Sequence, residues 1–297
     1  MALFQGAGVA IITPMKENLE VNFDKLEEII NDQIDNGTDS IVITGTTGEA
    51  STLTVEEHLE CIRAAVTATN KRVPVIAGTG SNCTKTAIEL SKEAMSAGAD
   101  GLLVVTPYYN KATQNGLINH YTKIASAVDI PLVMYNIPGR TGCGMTPETI
   151  SKLFHEVDNI VGLKEATGDI SEAIKIMQLT NGEIDMYSGN DNMIIPLLSI
   201  GGQGVISVLS NIAPKYTHDM VMNYLNGDRE EGLKMQLKAL PLIDALFCEV
   251  NPIPVKAAMN LMGMEVGSLR EPLTEIEDVN KEKLAAVMKD FGLQLNK

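Results

Sequence analysis

The sequence contains no Cys-x-x-Cys pair, no His-Glu-x-x-His, no long apolar run and no excess of basic charge. Each absence removes a class of protein. Cys61, Cys83, Cys143 and Cys248 stand far apart, so neither a zinc site nor a disulfide framework is expected. They are read as reduced thiols, with Cys143 inert. His58, His120, His155 and His218 are equally scattered, so the chemistry is expected to need no metal. A formal net charge of -15 argues against nucleic acid or an anionic membrane as partner. No apolar stretch reaches the roughly 18 residues of a membrane span. The opening Met1-Ala2-Leu3-Phe4-Gln5 lacks the basic start of a signal peptide, and a cytoplasmic location is expected. Phosphate and dinucleotide fingerprints are missing too. Gly45-Thr46-Thr47-Gly48 is not followed by Gly-Lys-Ser/Thr, and after Gly78-Thr79-Gly80 the third glycine is replaced by Cys83.

What is present is a repeated alternation. Apolar runs rich in Val and Ile occur at Gly8–Thr13, Ser40–Thr44, Val73–Ala77, Gly101–Val105, Pro131–Tyr135, Ile160–Lys164, Ile184–Ser188 and Gly204–Val208. Between most of them lie stretches with apolar residues at 3–4 spacing, such as Phe23, Leu26, Ile29, Ile30 and Ile34, closed by Gly37. Continuous rather than alternating apolar strands suit a parallel sheet covered on both faces. The repetition predicts an α/β fold, a (β/α)8 TIM barrel over residues 1–226, in preference to a doubly wound open sheet. Residues 227–297 lose the alternation. They read as a C-terminal helical appendage, with helices near Arg229–Phe247, Pro254–Met262 and Asn280–Phe291 and an extended break at Asn251-Pro252-Ile253-Pro254.

Active sites of such barrels form where strands end and the following loops begin. Those ends carry Thr46 and Thr47 after strand two, Tyr108 and Tyr109 after strand four, and Tyr135 with Arg140 at strand five. Lys164 ends strand six, and Ser188-Gly189-Asn190-Asp191 follows strand seven. Each has an ordinary reading: a tight turn at Gly45–Gly48, interface aromatics at Tyr108 and Tyr109, a surface charge at Arg140, a helix-cap neighbour at Asp191. Lys164 is the least ordinary of them, because an ammonium at the end of a buried strand is costly without a partner. It either snorkels to water or has a lowered pKa and acts as a nucleophile. Hydroxyls and one arginine at the same rim favour the second reading. An amine of lowered pKa condenses with a ketone to a Schiff base. Tyrosine and threonine hydroxyls relay protons, and an arginine receives a carboxylate. A 2-oxo acid with a second acidic partner fits this set. Strand alternation puts Gly162 on the side of Lys164, where it is expected to leave space beneath the amine.

At these residues the chain resembles the 4-hydroxy-tetrahydrodipicolinate synthase (dihydrodipicolinate synthase) family, within the N-acetylneuraminate lyase superfamily. The resemblance rests on Gly45-Thr46-Thr47-Gly48-Glu49, Thr106-Pro107-Tyr108-Tyr109-Asn110, Tyr135–Gly142, Gly162–Thr167, Gly201–Ser207 and Asn251–Lys256, in order and over nearly the whole chain. It implies that Lys164 forms an imine with pyruvate and that Tyr135 carries protons. It further implies that Thr46 links Tyr135 to Tyr109, the latter reaching in from a neighbouring subunit. Thr47, the backbone of Ile206 and Gly189 would bind substrate, and Arg140 would receive the carboxylate of L-aspartate 4-semialdehyde. The implied reaction is condensation of the two substrates in lysine and diaminopimelate synthesis, with no cofactor beyond the covalent imine. The implied assembly is a homotetramer built as a dimer of dimers. A sialic acid lyase or sugar-acid aldolase of the same superfamily is the alternative; such enzymes act on a polyol and generally lack the arginine, whereas Arg140 suits a short acid. A non-catalytic 2-oxo acid binder would not need the hydroxyl relay. Lysine-inhibited members match at His58, Asn82 and Tyr108 but differ at Val55 and Thr86, so weak or absent inhibition by lysine is expected.

Overall fold

The computed structural model describes residues 2–296. Met1 and Lys297, the outer ends of the expected barrel and appendage, lie outside the described residues. Among the described residues, eight parallel strands close on themselves in sequence order. They are β1 (Gly6–Ala10), β2 (Ser40–Ile43), β3 (Val75–Gly78), β4 (Gly101–Val105), β5 (Leu132–Asn136), β6 (Ile160–Glu165), β7 (Asp185–Ser188) and β8 (Gly204–Ser207). Closure runs through Gly6–Val9 of β1 against Gly204–Ser207 of β8. The helices outside the barrel begin with α1 (Phe23–Asp35), α2 (Val55–Thr69), α3 (Thr84–Ser96) and α4 (Gln114–Ala125). They continue with the one-turn α5 (Pro138–Thr141), α6 (Pro147–Glu156), α7 (Ile170–Leu179), α8 (Ile194–Ser199) and α9 (Pro214–Leu225).

Local chemistry sets the helix ends. Thr54 and Glu57 form a reciprocal capping box at the start of α2, and Asn70 ends it in the left-handed conformation. Gly37, at φ 87°, follows the end of α1. Two details differ from the sequence reading. β1 lies two residues earlier than the apolar run suggests, because Ile11 and Ile12 stay buried after the ladder ends. Helix α6 occupies a stretch to which the apolar pattern assigns no element, opened by the Thr146 cap and Pro147.

Two apolar layers follow from strand alternation. Ala10, Val42, Ile76, Leu103, Val133, Tyr135, Tyr187 and Ile206 fill the barrel interior together with Phe4, whose ring stacks on Tyr187 at 4.3 Å. Outward residues such as Val9, Ile43, Leu102 and Leu163 join the shell between barrel and helices. The tail forms α10 (Arg229–Leu246), α11 (Ile253–Leu261) and α12 (Asp278–Phe291). Leu242, Ile243, Val255, Met259, Leu284 and Met288 belong to the same contiguous cluster as the barrel helices. The break before α11 is a turn with a cis Asn251–Pro252 peptide, not an extended segment. Among the described residues no helix is long and apolar enough to cross a membrane.

Candidate active site

A cavity of about 450 Å³ opens at the C-terminal ends of the strands. Thr46, Thr47, Tyr135, Arg140, Lys164 and Gly189 all line it. Six of the eight residues singled out from sequence therefore meet, from β2, β5, β6 and β7. Ile206 does not line the cavity; its side chain is buried in the barrel interior. Tyr109 is also apart. It is 90% exposed, in the left-handed region at φ 73°, while its neighbour Tyr108 lines the outer cavity. His58, Val55 and Thr86 line that outer part too.

Lys164 sits opposite Tyr135 on β5 and Tyr187 on β7. It is 6% exposed, and its ammonium lies 4.4 Å from the centre of the Tyr135 ring. Burial pushes its pKa down to about 8, with the positive Arg140 pushing the same way and Asp191 opposing. The free amine needed for attack on a carbonyl is thus accessible near neutral pH. Burial raises the Tyr135 hydroxyl to about 12, although Arg140 and a hydrogen bond with Thr46 lower it in part. Tyr135 is accordingly a neutral phenol beside a desolvated amine.

Backbone packing holds the lysine in place. A Cβ on Gly189 would lie 2.6 Å from Ala166 Cβ and 3.2 Å from Lys164 Cε, so only glycine lets β7 close on the lysine stem. The Gly189 amide donates to the Glu165 carbonyl at 2.6 Å. The expectation for Gly162 is corrected. A Cβ there would meet the Asp185 carbonyl at 2.6 Å, so this glycine allows β6 to approach β7 and does not make room beneath the amine.

Arg140 stands on α5, whose turn is tied down by the Thr106 and Thr141 hydroxyls and the Cys143 carbonyl. Its Nη2 donates to the Asn251 carbonyl at 3.1 Å, and Asn251 Nδ2 donates to the Thr47 hydroxyl at 3.0 Å. Asn251 also lines the cavity, so the helical tail contributes to its wall. Cys143 is buried, its thiol donating to the Ala112 carbonyl.

Sequence reasoning passed over two buried carboxyls. Asp191 accepts from the Val208 and Leu209 amides at 3.0 and 2.9 Å, bracing the end of β8, and its charge favours the protonated lysine. Burial raises its own pKa. The available signal was its place directly after strand seven, which a helix-cap reading absorbed. Glu165 follows the lysine but points to the other face of β6 and accepts from the Thr167 amide. Burial raises it to about 7.

A closed parallel barrel with a desolvated lysine at the end of its sixth strand, a tyrosine ring beside the amine and two threonines lining the same cavity defines the class: barrel enzymes that work through an imine. Comparison with known proteins narrows it. A sequence model of the dihydrodipicolinate synthetase family matches residues 3–291. A relative from Lachnoclostridium phytofermentans, described as 4-hydroxy-tetrahydrodipicolinate synthase, is 61% identical over 99% of this chain and 100% of its own. One from Acetivibrio thermocellus with the same description is 56% identical over 98% of both chains. The crystal structure of dihydrodipicolinate synthase from Aquifex aeolicus superposes with a TM-score of 0.97 at 42% identity, covering 99% of this chain and 100% of that one. The chain belongs to the dihydrodipicolinate synthetase family.

Proposed function

We propose that this enzyme, a lyase, condenses pyruvate with L-aspartate 4-semialdehyde through an imine on Lys164, giving 4-hydroxy-tetrahydrodipicolinate for lysine and diaminopimelate synthesis. The observation that carries the reading is the buried Lys164 amine, at a pKa of about 8, against the Tyr135 ring. The amine attacks the pyruvate ketone, and water leaves as Tyr135 supplies and removes protons. Loss of a methyl proton gives the enamine, whose carbon attacks the aldehyde. The amino group of the second substrate then closes onto the imine carbon and frees the lysine. The imine itself is the electron sink, so the reaction as read uses no dissociable cofactor.

The Thr47 hydroxyl, with the backbone near Ile206, is read as the receiver of the pyruvate carboxylate. Thr46 is read as the hydroxyl linking Tyr135 to the relay. Arg140 is the cation for the second carboxylate, and Gly189, packed close against the Lys164 stem at the cavity wall, is read as substrate-binding. A polyol would instead need hydroxyl partners at the position of Arg140, which disfavours a sialic acid lyase. Residues 1–226 are taken to carry this chemistry, with 227–297 as the appendage. Borohydride added with pyruvate is expected to trap a covalent adduct on the peptide containing Lys164. A coupled assay should then show turnover with L-aspartate 4-semialdehyde and none with N-acetylmannosamine. No adduct would sink the imine, and turnover of the sugar alone would move the enzyme to the lyase branch.

Tyr109 is read as serving the site of a second copy. Its 90% exposure supports this, since an aromatic on an exposed loop tip is suited to burial in an interface. A homo-oligomer, a tetramer as a dimer of dimers, follows from that reading. Tyr109→Phe and Thr46→Val chains are each expected to be slow alone. Mixed and reassembled, they should recover activity, because some sites then receive both intact hydroxyls. No recovery on mixing would count against a relay shared between copies.

A further inference from the structure

The Thr46–Thr47 turn is gripped by the helical tail through a buried ion pair to which the chemistry above assigns no part. Two non-glycine residues in the left-handed region bracket this turn, Thr44 and Glu49, both at φ 54°. L-residues avoid that region, and β-branched ones most of all. Within the turn the Glu49 amide donates to the Thr46 carbonyl at 3.1 Å, so the backbone of Glu49 and the placing of Thr46 are one unit.

The Glu49 side chain leaves the turn and enters the tail. One carboxylate oxygen accepts from Lys256 Nζ of α11 at 2.8 Å, and the other from the Arg270 amide at 3.0 Å. Lys256 is 1% exposed and donates again to the Ser268 carbonyl at 2.7 Å. The Arg270 guanidinium in turn grips both oxygens of Glu57, which completes the capping box of α2 with Thr54. Asn251, two residues before α11, holds the Thr47 hydroxyl from the other side.

A buried ion pair is a weak source of stability, since apolar residues of the same volume commonly do as well. What two charges gripped on fixed backbone do supply is a single geometry. We propose that Glu49 and Lys256 are positioning residues for the reaction: their buried pair locks the strained turn after β2 onto α11 and so aims the Thr46 and Thr47 hydroxyls into the cavity. The helical tail thereby sets the pyruvate end of the site. This rests on the reading of Thr46 and Thr47 given above.

The test is the double variant Glu49→Gln/Lys256→Met, which removes both charges, nearly keeps the volume, and leaves an acceptor for the Arg270 amide. Circular dichroism and thermal melting establish that it is folded. The pyruvate KM is expected to rise about tenfold and kcat to fall by a similar factor, because a small displacement of aligned groups is costly. The KM for L-aspartate 4-semialdehyde should rise less than that for pyruvate, since Arg140 stands on α5 and meets the tail through the Asn251 carbonyl, not through Glu49 or Lys256. Lys256→Gln, whose donor is neutral and one bond nearer the backbone and so grips Glu49 less firmly, should shift the pyruvate KM and kcat in the same direction by a smaller factor and serves where the double variant does not fold. Wild-type kcat and KM in a folded variant overturn the proposal and leave the pair a purely structural contact. Absence of a borohydride adduct in the wild type would instead overturn the imine reading. An adduct with unchanged dependence on pyruvate concentration in the variants overturns the positioning role alone.

Discussion

Lys164→Met is expected to abolish the condensation, by roughly 10⁴-fold or more, and at the same time to make the protein more stable. The loss of activity follows because, among the described residues, no other lysine lines the cavity: Arg140 carries a guanidinium, not an amine, and Lys256 is committed to Glu49. The gain in stability follows from the depressed pKa. The amine falls from 10.5 to about 8 on folding because burial penalises its charge. Below pH 8 it is protonated in both states, so the folded chain bears the whole penalty, roughly 3 kcal/mol. Between about 8 and 10.5 the unfolded chain binds the extra proton. Stability therefore rises with pH through that window, and the penalty is gone above it. Methionine nearly fills the same volume without the charge. Melting curves at pH 7 should show the variant several degrees above wild type, and the difference should shrink toward pH 10. An unchanged or lower melting temperature at pH 7 would mean that the lysine is not desolvated. In the wild type, pyruvate binding as imine should strengthen as pH approaches 8 and the free amine becomes abundant.

Tyr135→Phe should slow turnover by about 10²–10⁴-fold, the range for losing a positioned proton carrier. Its hydroxyl is raised to about 12 by burial, so the group that is lost is a neutral phenol able to give a proton and take one back. The phenylalanine ring keeps its place 4.4 Å from the lysine nitrogen, which leaves the surroundings of the amine nearly intact. Imine formation should accordingly slow without being prevented. Borohydride trapping followed in time separates the two effects: the variant should reach the wild-type extent of labelling at a much lower rate. Full-rate labelling with impaired turnover would place the tyrosine's role after imine formation. Labelling as fast as wild type with normal turnover would remove it from the relay altogether.

The residues behind these effects are legible in the sequence to different degrees. The barrel can be read because its signals are local. Ile41, Val42 and Ile43, or Leu102, Leu103 and Val104, are continuous apolar runs of strand length between helices with caps. Strand ends then locate Thr46, Thr47, Tyr135, Arg140, Lys164 and Gly189, because in a parallel barrel those ends share one face. Asp191 does follow the Asn190 cap of a short helical turn, as the sequence suggests, but its bracing of β8 is not legible there because its partners, Val208 and Leu209, belong to the next strand unit. Gly162 is misjudged because alternation tells which side a residue faces but not how near the neighbouring strand lies.

Periodicity and residue type, which act over a few positions, determined the alternation of strands and helices, the rim on which the polar residues gather and the candidacy of one lysine. The tertiary structure alone decided how that lysine behaves and what holds its partners. The depressed pKa needs the whole barrel to exclude water from the amine. The grip of Lys256 on Glu49, like that of Asn251 on Thr47, joins residues more than 200 positions apart. Desolvation and such long-range hydrogen bonds exist only once the chain has closed on itself. Nothing in the neighbourhood of Lys164, Glu49 or Thr47 along the sequence specifies them.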